Sequence, residues 1–162
     1  MIIVELPEEI LKIIKERGID VVDLVLSVIS RTDPTEGIRL RLELARRYMT
    51  EAREYMNKGD SIQASEKAYK AAEEVVKALA EKYGLPEHHQ AVKEGRWYTH
   101  WLGSAVNKLM RTLGNWVLSG WTSAYFLRVW GFHEAKLGVD DIISYVDEVE
   151  RMIKEAEKVL AH

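Results

Sequence analysis

Residues 34–58, PTEGIRLRLELARRYMTEAREYMNK, decide the fold. Ile38, Leu42, Ala45, Met49, Ala52 and Met56 recur at steps of 4, 3, 4, 3 and 4, the spacing that lines one face of an α-helix against a partner. The opposite face carries Arg39, Glu43, Arg47 and Glu51 in alternating sign, each four residues from the next, and is expected to be solvated. Gly59 can take the left-handed conformation that ends a helix, and Asp60 can cap the next one. A connection that short forces two antiparallel helices.

Working outward, Ser61 to Tyr83 sets Ala64, Ala68, Ala71, Val75 and Ala78 on one stripe, small side chains that admit a close neighbour, and Gly84 with Pro86 stops it. Residues 85–97 read as a loop or broken helix. Thr99–Leu113 and Asn115–Leu137 read as two helices parted near Gly114. Val139–Ala161 repeats the 4, 3, 4, 3, 4 step in Ile142, Val146, Val149, Ile153, Ala156 and Leu160, with Gly138 as the stop before it. On the other side, Pro7, Glu8 and Glu9 open a short helix that Gly18 ends, and Asp20–Ser30 is a second amphipathic stretch, before Thr32, Asp33 and Pro34 reset the chain. The expected fold is all-α: an antiparallel bundle of four to five main helices over 32–162 with a short helical N-terminal extension over 1–31.

Composition agrees. A chain of 162 residues, 47% hydrophobic and 30% charged, is one domain's worth and buries roughly 70% of its unfolded surface. The absence of cysteine excludes disulfides, thiolate nucleophiles, zinc fingers and iron–sulfur ligation. The longest apolar run, Val21 to Ile29, is interrupted by Asp23 and is about half of a membrane span. The start lacks the basic region and apolar core of a signal peptide, so a cytoplasmic location and no membrane association are expected.

The net charge of -3 hides an asymmetry. Residues 88–133 hold Lys93, Arg96, Lys108, Arg111 and Arg128 against Glu94 alone, together with all five tryptophans and four of the five histidines. No phosphate loop, dinucleotide fingerprint or zinc-binding pair of histidines flanking a glutamate occurs, and the adjacent His88 and His89 lack a partner set, so no metal and no cofactor are expected. From Trp116 through Trp121 to Phe132, large apolar residues occupy nearly every helical face. A helix apolar all round must be buried all round, and one face on the core with the other on a second copy gives a homodimer through residues 115–137. A stacking platform for bases has the same composition.

The Ala-rich Ala64–Glu73, Lys77-Ala78-Leu79, and Trp130-Gly131-Phe132-His133-Glu134 at the end of the aromatic helix resemble the first group of the archaeal PaREP family over roughly residues 31–140. That family is grouped by similarity with HEPN domains, compact helical bundles often found as dimers, many of them RNA-cleaving. The resemblance implies an RNA- or nucleotide-binding protein with metal-independent endoribonuclease activity and a protein partner of antitoxin type. Active HEPN ribonucleases carry an arginine, four to six intervening residues and a histidine, which the resemblance places on Arg128 and His133. The histidine would move a proton from the RNA 2′-hydroxyl while the arginine offsets phosphorane charge. Val129 departs from the polar residue usual after the arginine. An ideal α-helix also sets residues five apart roughly 140° from one another, a separation that a kink at Gly131 would have to close.

A second grouping is Arg96 and His100, four apart, with Trp97 and Trp101 beside them, suited to phosphate binding and base stacking if the segment is helical, with Lys108 and Arg111 extending the patch. The alternative for all of these residues is a non-enzymatic dimeric scaffold or partner-binding module. In it Arg128 pairs with Glu134 or with a carboxylate of the last helix, and His133 closes a helix end.

Overall fold

The structure, a computed structural model, describes residues 2–161. Eight α-helices run α1 Glu8–Arg17, α2 Val21–Thr32, α3 Pro34–Asn57, α4 Ser61–Lys82, α5 Pro86–Glu94, α6 Thr99–Leu113, α7 Asn115–Phe126 and α8 Val139–Leu160, with a π-helical segment Leu127–His133 continuing α7. No strand occurs among the described residues. The starts follow from side chains: Asp33 accepts from the Glu36 amide ahead of Pro34, and Asp60 accepts from the Gln63 amide. Gly59, at φ 79°, closes the tight α3–α4 turn as expected.

The bundle is built around α4. Thirteen of its 22 residues are buried, which one stripe of small side chains would not require. Helices α3, α6, α7 and α8 and the π-helical segment all pack against it. The stripe Leu42, Ala45, Met49 and Ala52 of α3 meets it on one side, and Ile142, Val146, Val149, Ile153 and Ala156 of α8 meet the same core. The aromatic helix α7 is covered within its own chain by α4, α6 and α8, with Phe126 stacked on Tyr145 of α8 at 4.4 Å between ring centroids. Only Leu118, Tyr125 and Trp130 among its large apolar side chains stay exposed.

Two further expectations are corrected. Residues 86–94 form a helix, α5, since Pro86 occupies its first turn and Gly95 ends it. The helix expected to run from Asn115 to Leu137 keeps α-geometry only to Phe126. It then widens into the π-helix, turns at Ala135 (φ 51°), and gives Gly138 the role of N-cap to α8 instead of stop.

The extension divides in two. Helix α2 packs on α3, where a side chain at Gly37 would collide with Ser30, and contributes Asp23 to a buried ionic cluster. There Arg41 donates to Asp23 at 2.7 Å and to Glu74 at 2.8 Å, and Lys77 donates to Asp23 at 3.0 Å. All four side chains are buried. Burial alone would raise the Asp23 pKa, but Lys77 and Arg41 outweigh it and hold the carboxyl below its ordinary range. Helix α1, by contrast, buries none of its residues.

Candidate functional site

The π-helix is what assembles the site. Its hydrogen bonds join residue i to i+5, as in the Glu134 amide to the Val129 carbonyl at 2.8 Å, so side chains five apart stand one above the other. Arg128 and His133 are such a pair. The Arg128 Nε donates to the His133 Nε2 at 3.2 Å, where an α-helix would have pointed them apart. Gly131 is not a kink. It is buried, and a Cβ there would run into the Ser65 hydroxyl of α4, so its bare backbone lets the wide turn lie flat against the central helix.

Arg128 is oriented by three elements. Its Nη1 donates to the Tyr69 hydroxyl of α4 at 2.7 Å and reaches the Thr99 hydroxyl, the first residue of α6, at 3.4 Å. The guanidinium lies 4.7 Å from the centre of the Tyr69 ring, whose other neighbour is Trp121 at 5.6 Å. No carboxylate forms an ion pair with Arg128 among the described residues, so pairing with Glu134 or with α8 is not its role. Glu73, one turn beyond Tyr69, is close enough to feel the charge. Burial pushes its carboxyl above the usual range, against the pull of Lys77 and Arg128. Burial likewise raises the Tyr69 phenol, which remains a neutral hydrogen-bond partner. These groups line a cleft of about 140 Å³, with Glu66, Tyr69, Lys70 and Glu73 on the α4 wall and Arg128, Phe132 and His133 on the other.

The second grouping is partly brought in. Arg96 and Trp97 precede α6, so Arg96 and His100 do not share a helical face. Arg96 instead stacks on Tyr98 at 4.3 Å and packs on Gly18 at the α1–α2 turn. Tyr98, His100 and Trp101 form an aromatic cluster, with Trp101 edge-on to Tyr98 at 4.6 Å between ring centroids, and they flank Thr99 in the chain. The start of α6 carries no side-chain cap, so the positive end of its dipole adds to the guanidinium. Trp97 faces away, packed against the core. Lys108 forms an ion pair with the buried Glu87 of α5, and Arg111 lies in the last turn of α6, roughly 18 Å along the axis from Thr99. Neither joins the site.

Sequence reasoning missed Tyr69, Glu73 and Thr99. Tyr69 and Glu73 sit inside an alanine-rich helix where period alone reads as core, and Thr99 carries no local signal. No group of three or more His, Asp or Glu side chains able to hold a metal occurs among the described residues. No helix is long and apolar enough to cross a membrane among them.

Fold and site define an all-helical bundle in which a π-helical turn presents a guanidinium beside a histidine and outside any ion pair. The chain belongs to the archaeal PaREP1/PaREP8 family, whose model matches residues 40–153. It is similar to a protein of Sulfolobus solfataricus solved by crystallography, at 39% identity over 72% of this chain and 95% of that one, with a TM-score of 0.65. A solution structure of the Orf c02003 protein matches at 37% identity over 73% of this chain and 92% of that one, with a TM-score of 0.63. No curated protein matches.

Proposed function

We propose that the cleft between α4 and the π-helix binds a phosphodiester of RNA and cleaves it without a metal ion. The carrying observation is the Arg128 guanidinium, held by Tyr69 and Thr99, unpaired with any carboxylate and within hydrogen-bond reach of His133. A fixed cation without an ion-pair partner, next to an uncapped helix start, favours an anion even with Glu73 close by. The exposed His100, clustered with the half-buried Tyr98 and Trp101, offers a face on which a neighbouring base stacks.

His133 Nε2 accepts from the Arg128 Nε. Phosphate oxygens compete for the Arg128 N–H groups and release Nε2. Nε2 then takes the 2′-hydroxyl proton as the O2′–P bond forms and the P–O5′ bond breaks. The leaving O5′ is protonated by the imidazolium or by water. The products are a 2′,3′-cyclic phosphate and a 5′-hydroxyl, and Arg128 stabilises the charge that builds on the phosphorane.

The test incubates wild type and His133→Ala with labelled structured RNA, with and without a chelator, and examines the ends. Chelator-insensitive cleavage leaving cyclic phosphate, lost in His133→Ala while RNA affinity is retained and falls steeply with salt, is the expected result. Undetectable or salt-insensitive binding by wild type overturns the RNA reading. Tight binding without cleavage leaves a binding module that uses the same cleft.

A further inference from the structure

Helix α1 is amphipathic and buries none of its residues. Ile10, Ile13 and Ile14 follow helical spacing, and Ile10 and Ile13 are 46% and 47% exposed. Helix α2 continues this apolar exposure with Val21, Val22, Leu24, Val25 and Val28. With Leu11, the exposed apolar residues of α1 and α2 present on the order of 600 Å², approaching the roughly 800 Å² per partner of a standard protein interface. A monomer rarely leaves so many large apolar side chains of one short extension in water.

Charge selects the occupant. Positions 2–33 hold seven acidic against four basic residues, which opposes both an anionic lipid surface and a nucleic acid. Along α1, Glu8 and Glu9 stand in the first turn and Lys15 and Arg17 in the last, with Lys12 and Glu16 between them. Glu9, Ile13 and Arg17 lie four apart on one face. Antiparallel apposition of two such helices about a two-fold axis at Ile13 sets Glu9 of each copy opposite Arg17 of the other, across matched isoleucines. An isologous contact requires this self-complementarity.

We propose that α1, with the adjoining face of α2, is the interface through which two copies of this chain dimerise. This stands apart from the chemistry of the Arg128 cleft.

The experiment is sedimentation velocity on the full chain at micromolar concentrations. Wild type is expected at dimer mass, and Ile10→Glu/Ile13→Glu at monomer mass with its circular dichroism unchanged, since α1 buries nothing in its own chain. Glu9→Arg alone places arginine against arginine, and Arg17→Glu alone places glutamate against glutamate, so each weakens the dimer at least tenfold. Mixing these two single variants restores opposite charges at both contacts and recovers a heterodimer with affinity near that of wild type. A monomeric wild type, a dimer indifferent to the isoleucine changes, or mixing that fails to restore association overturns the proposal. So does a dimer dissociated instead by Tyr125→Glu/Trp130→Glu on the aromatic face.

Discussion

Helix α4 carries two charged neighbourhoods little more than one turn apart, and they are opposites. At Glu74 and Lys77 every charge has a partner: Asp23, Arg41, Glu74 and Lys77 are buried, and their bonds tie α2, α3 and α4 together. At Tyr69 and Glu73 the arriving cation, Arg128, has hydroxyls, a ring and an imidazole around it but no carboxylate in an ion pair with it. Compensated charge in low dielectric fixes geometry, and its loss is felt as instability. Charge that no ion pair neutralises leaves part of its electrostatics for a ligand at a cleft. Lys77 links the two, reaching Glu73 at 3.7 Å as well as Asp23.

This contrast is broken most strongly at Asp23. Asp23→Ala leaves Arg41 and Lys77 sharing Glu74 and is expected to cost about 3–5 kcal/mol in denaturant unfolding. The pH dependence has a definite sign. A carboxyl held below its ordinary 3.8 contributes stability that is full above that value and is lost as the pH falls through its lower folded-state pKa. Wild type should therefore lose stability steeply in acid below about pH 4, and Asp23→Ala should show a shallower acid limb. An acid limb of equal slope in both proteins would remove Asp23 from the account.

Arg128→Ala should behave in the reverse sense. Cleavage and RNA affinity together are expected to fall about 10²–10³-fold, while folding stability changes by about 1 kcal/mol or less, the scale of one cation–π contact. A loss of several kcal/mol in unfolding with RNA affinity intact would make Arg128 structural and collapse the distinction between the two neighbourhoods.

The smallest effect belongs to the backbone that brings the second neighbourhood into being. Gly131→Ala places a methyl against Ser65, with an expected cost of about 1–3 kcal/mol and a displaced Arg128–His133 pair. Ser65→Gly in the same chain removes the obstructing side chain and should recover most of the stability and the activity. Failure of that rescue would show that the close approach of the two helices is not what Gly131 provides.

Much of this molecule was legible in the sequence. The 4, 3, 4, 3, 4 stripes of α3 and α8, the glycine stops and the aspartate caps each depend on residues within one or two turns, so period and capping chemistry read them correctly. The arginine and histidine that line the cleft were singled out through spacing and family resemblance. The π-helix was not, because a seven-residue widening leaves no change in hydrophobic period. It was the widening that brought Arg128 and His133 together. The aromatic helix was read as needing a second copy to cover it, because a linear sequence does not show that α4, α6 and α8 already surround most of it. Lys108 and Arg111 joined the basic patch on charge alone, and only the position of Glu87 reveals that one of them is engaged.

By itself the sequence determined the all-helical class, the antiparallel α3–α4 hairpin, the family and the location of the basic aromatic stretch, all properties of neighbouring residues. The tertiary structure alone decided which charges are compensated. Asp23, Arg41 and Lys77 are separated by 18 and 36 positions along the chain, and Arg128 meets Tyr69 across 59. Coulomb energy depends on distance in space and on the surrounding dielectric, and neither is written in the order of the residues.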